Sequence, residues 1–367
     1  MYGAERVVCI DKLRSNEVSG HRPDRDQAVS FNFGPDGFTY TVHVVDVVSQ
    51  LALLDIDESS ALLSKAQGKV VSRFGPYGCD PLLPHELIGG FHAELEKPAL
   101  SIQRKVGWTN LHRYESPGIH FGKVTGVKYC DYTHGENEGN SGTKIGEISA
   151  NTPGDTEDLS ECPDIFLILA KHLWCNYLAN HSSAQNGYAT NAVIHAIPLL
   201  ANNEEFQRLI FGGNFVHFYF KEENLPSQMR SNPDHRLLTP WDTLQLVLSN
   251  MKAHSLNKML MDSVGKEFVA ECRLRNIPLL YTNSKGRVSL LDSNSSFPNV
   301  GYAGLTHPMR EWGGVMNQLN LTYYLKTNQL LLGEEDLMDL LEMSGKERVG
   351  VYKDVMSDVR QVIGQSG

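Results

Sequence analysis

The sequence predicts an α+β fold, on three observations. Strand signals crowd the first hundred residues and are led by a β-hairpin, helical spacing appears at 61–69, and the chain closes on two amphipathic helices at 334–342 and 347–363. A length of 367 residues admits one large domain or two and is ample for a sizeable core.

Taken in order, residues 7–10 form a short apolar strand that ends at Asp11. Residues 27–33 and 38–47 are rich in β-branched and aromatic side chains, and Gly34-Pro35-Asp36-Gly37 between them is turn chemistry, so the pair reads as a hairpin. Asp24 and Asp26 stand just before it. A rigid hairpin holds Asp26 at its mouth, and the strand before it can deliver Asp11 alongside. Carboxylates gathered so closely repel one another unless a hard cation neutralises them, and an oxygen-only ligand set suits Mg²⁺ or Mn²⁺. By spacing alone the same aspartates also suit a solvated loop in which they cap turns.

Further along, residues 98–102 read as another strand, 165–180 as a helix apolar nearly all round, and 211–220 as a buried strand. His172, His181, His195 and His217 show no metal-ligand spacing and read as core or surface residues. Neither GxSxG nor GxGxxG occurs, no internal repeat is present, and Gly142-Thr143-Lys144 misses the spacing of a phosphate loop. Residues 1–6 are polar and the apolar run behind them stops at Asp11, so no signal peptide is expected; no later run is long enough for a bilayer. The six cysteines form no CxxC pair, and reduced thiols in a cytoplasmic protein are the expectation.

A net charge of −10 counts against a nucleic-acid partner until its distribution is considered. Residues 131–164 hold nine acidic side chains and one basic one, Lys144, which is −8; outside them 32 basic face 34 acidic, which is −2. The bulk of the chain can therefore carry a local basic channel. The acidic stretch lacks periodic apolar residues and reads as an exposed insertion, either a plain solvated loop or a flap that imitates phosphates.

Three stretches together resemble the RNB family of exoribonucleases. Ile10-Asp11, Pro23-Asp24-Arg25-Asp26-Gln27-Ala28-Val29 and Tyr40-Thr41-Val42-His43-Val44-Val45-Asp46-Val47 are similar to that family's Ile-Asp, Asp-x-Asp-Asp-Ala and Val-His-Ile-Ala-Asp-Val runs. Phe74-Gly75-Pro76 through Pro81-Leu82-Leu83-Pro84 resembles its aromatic-Pro and Pro-Met-Leu-Pro segment. Tyr302-Ala303-Gly304-Leu305-Thr306-His307-Pro308-Met309-Arg310-Glu311-Trp312 resembles its Tyr-Ala-x-Phe-Thr-Ser-Pro-Ile-Arg-Arg-Tyr signature. The likeness covers roughly 7–105 and 298–325. The sequence departs from the pattern in a longer Asp11 to Asp24 spacer, in Gln27 where the family has its last aspartate, and in Glu311 where it has a second arginine.

The resemblance implies one RNB-like domain over 1–367, with an antiparallel sheet or barrel core surrounded by helices and the acidic insertion at about 131–164. It implies Mg²⁺ or Mn²⁺ at Asp11, Asp24, Asp26 and Gln27, and hydrolysis of single-stranded RNA from its 3′ end to 5′-mononucleotides. Asp26 and Arg310 would be catalytic, Arg310 would contact the cleaved phosphate, and Phe74 would stack on a terminal base. Gln27 keeps a carbonyl oxygen for a cation but supplies no charge, so a weaker metal site is expected. On residues alone, Phe74 reads as a core residue, and Arg310 equally suits the surface. Pro308 fits the first turn of a helix that Thr306 or His307 would cap, and Met309, Trp312, Met316, Leu319 and Tyr323 would form its apolar face. No cold-shock or S1 domain is expected, so a protein partner would supply RNA-gathering domains, and no membrane is involved. The departures sustain two alternatives: a pseudonuclease that binds RNA or protein without cutting, and a scaffold redirected to another substrate.

Overall fold

The hairpin expected at 27–47 lies in the middle of the protein's main sheet. The computed structural model describes residues 6–11, 25–75, 78–84, 87–91, 95–107, 114–116, 118–131, 169, 172–173, 253–282, 287–290 and 303–364. In chain order its strands are β1 (Arg6–Asp11), β2 (Gln27–Gly34), β3 (Gly37–Val45), β4 (Arg73–Gly75), β5 (Gly78–Asp80), β6 (Lys97–Gly107), β7 (Ile119–Val124), β8 (Lys128–Asp131), β9 (Leu280–Thr282) and β10 (Val288–Leu290). Its helices are α1 (Val47–Leu53), α2 (Ile56–Lys69), α3 (Ala253–Leu274), α4 (Trp312–Thr327), α5 (Glu334–Glu342) and α6 (Gly345–Gly364).

Gly34 pairs with Gly37 across the turn Pro35-Asp36, and the β2–β3 ladder runs from there to Gln27 and Val44. The second strand stops at Val45 rather than 47 because Asp46 caps α1: its carboxylate accepts from Ser49 N at 2.9 Å and Ser49 Oγ at 2.5 Å. A cap of this kind satisfies a donor that the helix itself leaves unpaired.

The six-stranded sheet has the order β7-β6-β3-β2-β1-β8. All its pairs are antiparallel except β1 with β8, which run parallel and so require a long crossover between them. The expected antiparallel sheet is thus present, with one parallel pair added at its β8 edge. Among the described residues the sheet is mixed and open, edged by β7 and β8, because those two strands pair only inward.

Helices cover two regions of the sheet. Ala28, Val45, Ala99 and Val124 join residues of α1, α2, α4, α5 and α6 in one apolar core. Elsewhere α3 is anchored by Arg104, which is fully buried on β6. Its Nε donates to Glu267 Oε2 at 2.8 Å and its Nη1 to Tyr40 Oη and Ser263 Oγ, both at 2.9 Å, while its guanidinium lies 4.3 Å from the Tyr114 ring centre. A buried guanidinium is tolerated only when paired this fully, and deleting Glu267 would cost about 3–5 kcal/mol. His172 is also fully buried and shares a hydrogen bond with Tyr40 Oη at 3.1 Å, as a core histidine.

The helix preceded by Pro308 starts later than expected. Residues 304–310 form successive turns, with His307 N donating to Gly304 O and Arg310 N to His307 O, and α4 begins only at Trp312 after an extended Glu311. Thr306 and His307 therefore do not cap it, and no side chain does. Nor does α4 have a single apolar face: every residue from Trp312 to Thr322 is buried. Its amides solve the resulting polar problem. Asn317 exchanges hydrogen bonds with Leu280 N and O and also donates to Ala303 O, and Asn320 does the same with Leu332 N and O.

The two terminal helices fall where expected. Tyr352 of α6 accepts from Trp312 Nε1 at 3.0 Å and donates to Gln67 Oε1 at 2.7 Å, while Gln67 Nε2 donates to Leu340 O at 2.6 Å, so one buried polar chain links α4, α6, α2 and α5. Of the helix expected at 165–180, Leu169, His172 and Leu173 are described and helical. The strand expected at 211–220 and the acidic stretch beyond Asp131 lie outside the described residues. No described helix is long and apolar enough to cross a membrane.

Candidate active site

Asp26 sits at the mouth of the hairpin, one residue before β2. The local fold fixes it: Val45 N donates to Asp26 O at 2.8 Å, and Phe91 N donates to the preceding carbonyl, Arg25 O, at 2.8 Å. Gly89 and Gln50 of α1 exchange hydrogen bonds at 3.0 and 3.2 Å, which holds the 89–91 segment against Arg25. Asp26 is 2 % exposed, a depth at which a carboxylate needs a counter-charge. Arg310 supplies one, with its Nε 3.6 Å from Asp26 Oδ1, and the arginine side chain is itself 33 % exposed. One end of the pair is thus buried in protein while the other faces water.

The segment that carries Arg310 is tied to both other motif stretches. Val71 and Glu311 form an antiparallel bridge flanked by Ser72 N to Arg310 O and Trp312 N to Val70 O, both at 2.8 Å. Ser72 Oγ adds a bond to Met309 O at 3.3 Å and accepts from Leu82 N at 2.8 Å. Two residues past Ser72, Phe74 lies in β4 paired with Cys79, so its backbone follows directly from the stretch locked to Arg310. From the first motif, Gln27 Nε2 donates to Thr306 O at 2.5 Å. Gln318 of α4 closes the assembly by donating to Val45 O at 2.9 Å and accepting from Val47 N at 3.1 Å.

Asp11 ends β1. The pairing of β1 with β2 runs from Arg6 to Val8, and its pairing with β8 runs from Val8 to Asp11, which stands opposite Asp131. Asp24 lies outside the described residues. The structure therefore brings Asp26, Gln27, Arg310 and the backbone of Phe74 into one neighbourhood.

Electrostatics distinguish the neighbours of Arg310. Burial pushes the Glu311 carboxyl up to about 7, against the pull of the Arg310 charge. Burial, aided by Arg310, lowers His307 to about 3 and so keeps it neutral, with its Nδ1 sharing a hydrogen bond with Thr306 Oγ1 at 3.2 Å. Glu311 packs beneath the turn at Gly304, which has φ +66°; a Cβ on Gly304 would come within 2.8 Å of Glu311 Oε2. The left-handed backbone favours glycine there.

Sequence reasoning missed Gln50, Gln318 and the titrating character of Glu311. The amides left one signal, three of them within Asn317-Gln318-Leu319-Asn320 inside an apolar helix.

Comparisons with known proteins place the fold. No protein-family model matches the sequence, and no curated protein matches it either. A solved structure of an active-site mutant of the Dss1 exoribonuclease from Candida glabrata is similar over 98 % of this chain and 44 % of its own, with a TM-score of 0.54 and 13 % identity. The chain has an RNB-like fold. The RNB-like chain spans less than half the length of that Dss1 structure. Looser likenesses are to yeast Ssd1, a pseudonuclease, at TM-score 0.43, 13 % identity and 99 % and 44 % of the two chains, and to the apo form of Mycoplasma genitalium RNase R, at 0.44, 14 %, and 99 % and 56 %. The expected RNB-like α+β fold agrees with the Dss1 likeness.

Proposed function

We propose that this chain is a metal-dependent nuclease that hydrolyses single-stranded RNA from the 3′ end to 5′-mononucleotides. The observation that carries the reading is the Asp26–Arg310 pair, a buried carboxylate against a part-exposed guanidinium, joined from the first and last of the stretches that resemble RNB exoribonucleases. In this reading Arg310 takes a phosphate on its exposed side, where its forked N–H groups suit a tetrahedral anion. Asp26 keeps the guanidinium oriented from the buried side, so little reorganisation is needed when charge develops on the phosphate. Phe74 stacks on the terminal base, a contact indifferent to sequence.

In this reading the cation would take an oxygen-only donor set: Asp26 offers a carboxylate whose backbone is held by Val45 N, with Asp11 from the end of β1 and Asp24 from two residues earlier in the sequence. Asp11, Asp24 and Asp26 would hold Mg²⁺ or Mn²⁺, which supplies an activated water and stabilises the departing oxygen.

The pseudonuclease reading draws on Gln27, whose amide is engaged with Thr306 O where the family pattern has a carboxylate. One incubation separates the two: purified protein with 5′-labelled single-stranded RNA, with and without Mg²⁺ or Mn²⁺. The nuclease reading expects shortening from the 3′ end that depends on the cation. Intact RNA under every condition, with binding that ignores the metal, favours the pseudonuclease.

A further inference from the structure

Thr306 O is the middle of three points that hold the turns carrying Arg310. At one end Asn317 Nδ2 donates to Ala303 O at 2.6 Å; at the other, Ser72 donates through Oγ to Met309 O and through N to Arg310 O. Between those ends, Thr306 is fully buried, and its carbonyl takes the Gln27 amide from a different part of the chain. A buried carbonyl left without a donor keeps its full desolvation penalty, enough to shift such a turn.

Gln27 is well placed to act as a fixed point. Its backbone is the first rung of the β2–β3 ladder, opposite Val44, and the residue before it is Asp26, whose carbonyl is bound by Val45 N. The Asp26 carboxylate and the Gln27 amide therefore extend from adjacent residues of one rigid strand end. One meets Arg310 and the other meets the chain four residues before Arg310.

We infer that Gln27 is a positioning residue: by holding Thr306 O it sets the Arg310 guanidinium against Asp26, instead of serving the cation. This deepens the nuclease reading and rests on it. The chemistry requires an amide. A carboxylate at 27 would face the Thr306 carbonyl oxygen with no proton to donate, so an aspartate or glutamate cannot keep this bond. The chain has exchanged a possible ligand charge for a tie between its first and last motifs.

The test uses the full chain with Gln27→Glu, which keeps the length and removes the donor, and Gln27→Leu, which removes the donor without adding charge. Backbone hydrogen exchange across 303–311 is compared with exchange across 37–45. Affinity for a short fluorescent single-stranded RNA is measured without divalent cation, in the native and Arg310→Ala backgrounds. Both variants should speed exchange across 303–311 about tenfold and leave 37–45 unchanged, since a local tie is lost rather than the fold. Both should weaken RNA binding about tenfold, and that loss should vanish once Arg310 is alanine, as coupled residues behave.

Unchanged exchange across 303–311 in both variants would overturn the inference, as would a binding loss that persists in full beside Arg310→Ala. So would a Gln27→Glu protein that keeps the segment protected and needs less Mg²⁺, because that result returns Gln27 to the cation. A native protein that binds no RNA would end the nuclease reading itself, and the exchange comparison would still decide whether Gln27 holds the Arg310 segment.

Discussion

Gly90 rests on the backbone of Arg25 so closely that a Cβ there would stand 2.7 Å from Arg25 O and 2.8 Å from Arg25 N. Those are main-chain atoms, which cannot swing aside as a side chain could. Gly90→Ala should therefore displace the Arg25–Asp26 segment and destabilise the protein by about 1–3 kcal/mol. In the nuclease reading hydrolysis should fall further than RNA affinity, because Arg310 is held from elsewhere. Urea denaturation and single-turnover cleavage measure the two effects; an alanine variant with native stability would contradict the packing.

Gln318 offers a second structural test. It grips Val45 O and Val47 N on either side of Asp46 and is itself fully buried. Gln318→Leu keeps the bulk but strands both backbone groups, at about 1–3 kcal/mol each. An unfolding free energy from urea denaturation that falls by less than half of that sum would mean the backbone finds other partners.

How much of this was legible beforehand depends on the kind of signal. The hairpin and the terminal helices were readable because turn chemistry and helical period are local in the sequence, whereas the family resemblance named Asp26 and Arg310 separately and did not foresee that they pair. The buried amides were not readable. Gln318, Gln50 and Gln27 act on carbonyls and amides far along the chain, and nothing in a glutamine's neighbours says which distant backbone group it will meet. The start of α4 was misread for a related reason: Pro308 suits a first helical turn, but the bridge from Val71 to Glu311 pulls that backbone into an extended form before Trp312. Likewise the parallel β1–β8 pair depends on chain direction after a long excursion, which spacing does not encode.

Glu311 predicts a pH dependence. With its carboxyl raised to about 7 from an ordinary 4.5, it is neutral below that range and ionised above it. The sign for stability follows: the folded state prefers the neutral acid, so the cost is absent below about 4.5, grows as pH rises toward 7, and stays constant beyond. For RNA the sign is the same. An ionised Glu311 beside Arg310 opposes a phosphate, and unit charges about 4 Å apart in water interact by about 1 kcal/mol, or roughly fivefold in affinity. His307, lowered to about 3, does not titrate in this range. RNA affinity should rise from pH 8 to pH 6, and Glu311→Gln should hold the acidic value at both; a slope that survives the substitution assigns it to another group.

The most direct test is cleavage by Asp26→Asn beside the native chain, on 5′-labelled single-stranded RNA with Mg²⁺. The variant removes the charge that faces Arg310 and keeps the backbone bond from Val45 N that fixes the segment. The native protein should shorten the RNA from its 3′ end and release 5′-mononucleotides. Asp26→Asn should be slower by at least about a hundredfold, while RNA binding should fall far less. Cleavage by Asp26→Asn at the native rate, or a native protein that leaves the RNA whole with both Mg²⁺ and Mn²⁺, would contradict the assignment.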